Sequence, residues 1–263
     1  MLTALIDTET TGLPNDPDAR AVEVAVTVFD EDCPELFDTL SNAEPEDLLE
    51  AFVQRSRSWS SLVCPRVLTE EGLALSLEIS GITEDEIRAA PTPEQLLVDL
   101  EGVLDGFTIP VRAWNTEFDF ELFERTFCRD LDRESPLTWN GCAMIDFSAR
   151  WVDMVGLHPD TMEPRWISVK RAARLAGIPY SEEQAHRACF DTQLSGCLDY
   201  CSRNGIIAPP EQTVPTPIVR VGQNRHRNPA SVKTRPIVVG KRRSDRPDPG
   251  QITIGPITIG RRR

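Results

Sequence analysis

Leu5-Ile6-Asp7-Thr8-Glu9-Thr10-Thr11-Gly12-Leu13 is the stretch on which the reading of this chain turns. The apolar residues that lead into it (Leu2, Ala4, Leu5, Ile6) predict a first strand over residues 2–8. Side chains of a strand alternate with a period of two, so Asp7 and Glu9 point to one face and Thr8 to the other. Two carboxylates this close repel, and a cation is the usual means of holding them together. Thr10-Thr11-Gly12 then turns the chain, offering backbone N–H groups and hydroxyls to an anionic ligand. The pattern predicts a divalent-metal platform at the end of a strand, with further ligands to come from elsewhere.

Downstream, the turn cluster Pro14-Asn15-Asp16-Pro17-Asp18 precedes a β-branched second strand over 21–29. A short acidic helix is expected over 44–53 and a third strand over 58–63. Helical periodicity covers 70–77, and Thr83-Glu84-Asp85-Glu86 has the form of an N-cap with an acidic first turn. Leu96, Leu97, Leu100, Val103 and Leu104 mark an amphipathic helix. A short strand over 109–114 leads into a helix over 115–127, and a fifth strand is expected over 142–147. A basic amphipathic helix over 168–175 and a long helix over 186–203, closed by Asn204-Gly205, complete the body. This order predicts an α/β fold, a mixed five-stranded sheet flanked by helices.

Pro209-Pro210 marks a boundary between a body over 1–208 and a Pro/Gly/Arg-rich tail over 209–263, expected to be largely disordered. The net charge of −14 divides at the same place. From Arg220 onward 12 Lys and Arg face only Asp245 and Asp248, a net +10; the remaining 16 basic and 40 acidic groups leave residues 1–219 at −24. A basic tail on an acidic body suits an anionic partner. No apolar run is long enough to span a membrane, and the start does not read as a signal peptide. Seven scattered cysteines without a C-x-x-C predict reduced thiols and a cytoplasmic protein.

Two later stretches offer the missing ligands. Trp114-Asn115-Thr116-Glu117-Phe118-Asp119 places Asp119 one turn into a helix that follows a strand. His186-Arg187-Ala188-Cys189-Phe190-Asp191 places an acid and an imidazole at the start of the last helix. Oxygen-only ligands suit Mg²⁺, or Mn²⁺ in its place, rather than zinc. Two such ions are the common clamp for in-line displacement at phosphorus. In this reading Asp7 bridges both ions, Glu9 and Asp191 complete one site, and Asp119 favours the other. Imidazole is the side chain that titrates near neutrality, which suits His186 to take the proton of the attacking water.

Asp7-x-Glu9-Thr10-Thr11-Gly12-Leu13, Asn115-x-x-Phe118-Asp119 and His186-x-Ala188-x-x-Asp191 resemble, in order, the three motifs of the DEDDh (DnaQ-like) 3′→5′ exonuclease family. That family includes proofreading subunits of bacterial replicative polymerases and several RNases. Leu62-Val63-Cys64-Pro65, Ser80-Gly81-Ile82-Thr83 and Ala90-Pro91-Thr92-Pro93 also fit, so the resemblance covers about residues 2–205 and excludes the tail. It implies a ribonuclease H-like fold and metal-dependent hydrolysis at the 3′ end of single-stranded nucleic acid, DNA favoured, with RNA 3′-end trimming the alternative. It further implies that Thr10, Gly12 and Leu13 line the pocket of the terminal nucleotide and that Asn115 and Phe118 meet the substrate strand. His186 takes the role that a tyrosine fills in a sister subgroup. Three features depart from the family pattern: Trp114 and Ser80 stand where histidine is common, and residues 35–56 read as an insertion.

Competing readings are a non-catalytic nucleic-acid-binding module on the same fold, and an adaptor whose tail docks on a DNA polymerase or a replication/repair assembly. Cys189, Cys197 and Cys201 share a helical face but match no zinc spacing, so buried thiols are expected. The run Phe118, Phe120, Phe123, Phe127 reads as core before base-stacking platform.

Overall fold

The computed structural model describes residues 1–209, so the expectations for the tail lie outside the described residues. Five strands form one sheet: β1 Leu2–Thr10, β2 Ala21–Asp30, β3 Arg57–Leu62, β4 Val111–Ala113 and β5 Trp139–Cys142, in the order β3-β2-β1-β4-β5. β1 is central. It pairs antiparallel with β2 and parallel with β4, and β2 and β4 in turn carry the antiparallel β3 and the parallel β5. β1 extends two residues beyond the expected end, keeping Glu9 and Thr10 on the ladder, with a register shift between them.

The helices are α1 Pro34–Ser41, α2 Leu48–Arg55, α3 Glu70–Ser80, α4 Glu84–Ala89, α5 Pro93–Val103, α6 Thr116–Phe123, α7 Ala143–Arg150, α8 Val152–Val155, α9 Val169–Ala176 and α10 Ala188–Arg203. Local chemistry sets several boundaries. Thr83 with Glu86, and Thr92 with Gln95, form reciprocal capping boxes that start α4 and α5. Gly81 ends α3 at φ 70°, a conformation glycine adopts without steric cost.

Alternation along β1 divides the core in two. Leu5 joins Phe29, Phe52, Phe147, Trp151, Leu194 and Leu198 beneath α2, α7 and α10. Ala4 and Ile6 face the other way, onto Val24, Val26, Leu96, Leu100, Phe123 and Phe127. Gly196 allows α10 to lie against α2: a Cβ there would stand 3.1 Å from the Phe52 ring.

Three expectations are corrected, and the single helix expected over 44–53 gains a companion. Residues 143–150 are helix, not strand; Ala143, Met144, Phe147 and Ser148 are buried at helical spacing, and the fifth strand precedes them, ending at Cys142. Residues 35–56 hold two helices, α1 and α2, which bury Leu36, Leu40, Leu48 and Phe52 on the sheet. The helix expected over 115–127 is α6 continued by a π-type turn, Glu124–Arg129. The last helix begins at Ala188, so His186 precedes it, in the left-handed region at φ 60°.

Candidate active site

Asp7 and Glu9 leave the C-terminal half of β1 on the face covered by α10, whose first turn carries Asp191. Each of the three offers a carboxylate oxygen, and these oxygens lie within 4.8 Å of one another. The backbone N–H of His186 donates to Asp191 Oδ2 at 3.1 Å, so the loop that carries the imidazole also orients the acid. The His186 side chain is exposed and lines the same cavity, about 470 Å³ in volume.

Asp119 reaches the cavity from α6 and is buried. Its Oδ1 accepts both the N–H of Thr8 at 3.0 Å and the Thr8 hydroxyl at 2.9 Å. Thr8, the residue that points away from the acid pair, thus anchors the fourth carboxylate. Asp119 lies outside the close triplet, although its charge bears on Asp7.

Sequence reasoning missed Glu23. It stands directly opposite Glu9 on β2 and is 2% exposed. It accepts from Arg187 Nε at 3.3 Å, from the Arg187 guanidinium again at 3.2 Å, and from the N–H of Ala188 at 3.3 Å. One acid amid the apolar and β-branched residues of positions 21–29 was the available signal.

Five carboxylates (Asp7, Glu9, Glu23, Asp119, Asp191) therefore share their surroundings with one guanidinium. Burial pushes Asp7 well above the usual carboxylate range, and the charges of Asp119, Asp191, Glu9 and Glu23 add to it. Burial, then Asp191, Glu23 and Asp119, push Glu9 up to about 8, opposed by Arg187. Asp119 is raised to about 7 by burial against its Thr8 hydrogen bonds. Asp191 is raised to about 6 by burial, against His186. An all-oxygen set with this excess of negative charge fits hard divalent cations.

The turn after β1 is held from behind. Thr11 N–H donates to the Arg20 carbonyl, and Arg20 N–H donates to the Thr11 hydroxyl, both at 2.9 Å. The Arg20 guanidinium grips Asp130 at 2.6 and 3.0 Å. Arg125 donates to the carbonyls of Pro14 and Asp16. Thr10, Gly12 and Leu13 are thereby fixed in the cavity wall. A Cβ on Gly72 would stand 2.8 Å from Thr11 Cβ, so glycine lets α3 rest on the turn and bring Leu75 and Ile79 to the cavity.

Asn115 and Phe118 supply the opposite wall, together with Trp114. The indole N–H of Trp114 donates to the Ile167 carbonyl at 2.8 Å, tying this wall to the segment ahead of α9. Phe123 and Phe127 are buried core as expected, while Phe120 packs edge-on against Trp139. All seven cysteines are free thiols, and among the described residues none joins a group of three or more metal-ligating side chains. No helix among the described residues is long and apolar enough to cross a membrane.

No family model matches the chain, and no curated protein sequence matches it. Solved structures do. The nuclease domain of 3′hExo, a DEDDh family member, bound to rAMP, is 13% identical with a TM-score of 0.51, over 78% of this chain and 93% of that one. Cell-death related nuclease 4 (CRN-4) is 15% identical with a TM-score of 0.52, over 79% of this chain and 66% of that one. E. coli exonuclease I in complex with a dA16 oligonucleotide is 18% identical with a TM-score of 0.50, over 77% of this chain and 41% of that one. The chain thus spans under half the length of exonuclease I. What is shared is the fold, a ribonuclease H-like mixed sheet flanked by helices.

Proposed function

We propose that the protein is a metal-dependent 3′→5′ exonuclease of the DEDDh type, acting on the 3′ end of single-stranded nucleic acid. The observation that carries this reading is the convergence of Asp7, Glu9 and Asp191 within 4.8 Å, at one end of a cavity that also holds Asp119, His186 and the Thr10–Leu13 turn.

Asp7, Glu9 and Asp191, with Asp119, would hold two Mg²⁺ ions, Mn²⁺ substituting. When bound, such ions supply Lewis-acid stabilisation of charge at the scissile phosphate. The raised carboxyl pKa values mean that protons leave these residues as the cations enter. His186 accepts the proton of the attacking water at its imidazole, and its backbone N–H steadies Asp191. Its φ of 60° is held by that contact and by the Ala188 N–H on Glu23. Thr10, Gly12 and Leu13 receive the terminal nucleotide, while Asn115 and Phe118 align the strand behind it. Such a site grips sugar and phosphate and leaves base identity largely unread. Seven scattered cysteines without a C-x-x-C support a reducing, cytoplasmic setting, and the basic tail would be the segment that meets a polymerase or repair assembly.

The test is a time course on 5′-labelled single-stranded DNA and matched RNA, with Mg²⁺ or with EDTA. A ladder shortening from the 3′ end, seen only with Mg²⁺ and blocked by a modified 3′ terminus, supports the reading. Endonucleolytic fragments, or no cleavage of either strand, sink it. His186→Ala should slow the wild-type rate about 10²–10⁴-fold.

A further inference from the structure

We propose a second nucleic-acid site beside the cavity, formed by Trp166 and the basic face of α9, that holds nucleotides upstream of the 3′ end. It rests on the exonuclease reading only in the direction from which the strand arrives.

Three observations converge. The first is charge. Residues 1–219 carry −24, yet from Pro164 to Ser181 the chain has Arg165, Lys170, Arg171 and Arg174 and no acid. Ala172, Ala173 and Ala176 face the core, leaving Arg171 and Arg174 exposed, while Lys170 enters the cavity wall. Glu182 pairs with Lys170 at 2.5 Å and with Arg174 at 3.7 Å. Arg165 and Arg171 have no carboxylate partner among the described residues.

The second observation is an aromatic ring without a packing role. Trp166 is 68% exposed, more than any other large apolar side chain among the described residues. The backbone around it is nonetheless anchored. Arg165 N–H donates to the Gly156 carbonyl at 2.9 Å and Arg165 Nε to the Leu157 carbonyl at 3.0 Å. On the other side, Ile167 receives the Trp114 indole. An exposed indole on a fixed backbone presents a face at little entropic cost. Beside it lies a cavity of about 460 Å³, walled by His158, Thr161, Glu163, Pro164, Arg165 and Trp166, with Glu163 its one acid.

The third is continuity. Ser168 and Lys170 belong to the active-site wall, so Trp166 stands two residues from it, at most about 7 Å of extended chain. Stacking on aromatic faces, flanked by guanidinium groups and a positive groove for the backbone, is how single strands are held without reading sequence. The exposed Met162 and Leu157 would also suit a protein partner, but Arg165 and Arg171, which flank Trp166 in the chain and have no carboxylate partner among the described residues, favour a polyanion.

The test uses the full chain and the variants Trp166→Ala, Trp166→Phe and Arg171→Ala. Affinity for a 5′-labelled oligothymidylate of about 15 nucleotides is read by fluorescence anisotropy in EDTA. Hydrolysis is read as the ratio of kcat/KM for that strand to kcat/KM for the p-nitrophenyl ester of thymidine 5′-monophosphate, which reaches only the terminal pocket. Trp166→Ala should weaken strand binding about tenfold and lower the ratio about tenfold, with Trp166→Phe recovering most of both. Arg171→Ala should flatten the salt dependence of log affinity by about 0.7. Wild-type affinity in Trp166→Ala overturns the proposal and leaves the indole to a protein contact. An unchanged ratio in an active enzyme also overturns it. If the wild type hydrolyses neither substrate, the exonuclease reading fails, and anisotropy still decides the upstream site.

Discussion

Helix α10 carries a carboxylate near each end, half-buried Asp191 and buried Asp199, about 12 Å apart along one axis. Their surroundings differ in sign. Asp199, 1% exposed, sits between Arg112 at 3.3 Å and Arg203 at 2.9 Å. Those guanidiniums also hold Asp146 and Glu31, so three acids meet two arginines. Asp191 joins Asp7, Glu9, Glu23 and Asp119, and five acids meet Arg187 alone. Burial raises both aspartates, but at Asp199 two arginines oppose it, whereas at Asp191 the opposing groups are His186 and its N–H. Both acids sit on one helix over one sheet, so the fold does not dictate the imbalance. The Asp199 end is a structural ion network in which two arginines oppose the buried acid, although Asp199 Oδ1 and Arg112 Nε make no hydrogen bond. The Asp191 end has the charge of a site that takes its cation from solution.

Removing one acid from each end should therefore have opposite consequences. Asp7→Asn is expected to cut Mg²⁺-dependent hydrolysis more than about 10³-fold. It should also raise the melting temperature of the metal-free protein at about pH 8, because the metal-free fold must either bury the Asp7 charge or take up a proton for it, and Asn needs neither. Asp199→Asn should do the reverse, costing about 3 kcal/mol in urea unfolding, since it leaves Arg112 and Arg203 without their shared buried partner. If both variants shift stability in the same direction, the contrast between the two ends is wrong.

The pH dependence sharpens the same contrast. Asp191, Asp119 and Glu9 have folded pKa values of about 6, 7 and 8, above their ordinary values when unfolded. The folded protein therefore keeps protons that the unfolded chain has released. The stability these groups contribute is fully present below about pH 4 and is lost as pH rises through 6 to 8. In EDTA the melting temperature should fall by about 10 °C or more between about pH 5 and pH 8. Mg²⁺ should restore it, most strongly at the alkaline end, because ionised carboxylates bind the ion. Calorimetry at both pH values checks this; a rise with pH in EDTA would contradict the charge balance drawn here.

Much of this site could be read from spacing. Period two put Asp7 and Glu9 on one face, and an acid one turn into each of two helices located Asp119 and Asp191. What escaped were contacts between distant strands and helices. Glu23 looks like an ordinary outward residue of a strand until the β1–β2 register sets it opposite Glu9. Thr8 gives no sign that it holds an aspartate 111 positions away. Residues 142–147 form a short, mostly apolar segment that suits either period; the burial of Ala143, Met144 and Phe147 and the stack of Phe147 on Trp151, at 5.1 Å, show the helical choice. His186 reads as helix in the sequence because the step from its left-handed backbone to the first turn at Ala188 leaves no mark in composition.

Glu23 yields the smallest expected effect and the finest test. Its carboxylate joins Arg187 and the N–H of Ala188 and so fixes the chain just after His186. It is a positioning residue: it makes its contacts through the loop, and its charge also adds to the cluster. Glu23→Gln keeps a carbonyl acceptor for either Arg187 or Ala188 N–H but removes the charge. Loss of positioning and relief of repulsion should then nearly cancel in stability, within about 1 kcal/mol. Catalysis has no such compensation. We expect kcat to fall about tenfold with KM little changed, and Glu23→Ala, which offers no acceptor, to fall further. A substrate-binding defect would appear in KM instead. If Glu23→Ala keeps the wild-type kcat, the Glu23–Arg187 pair is a structural ion pair like those around Asp199, and the acidic end of α10 contracts to the four carboxylates that face the cavity.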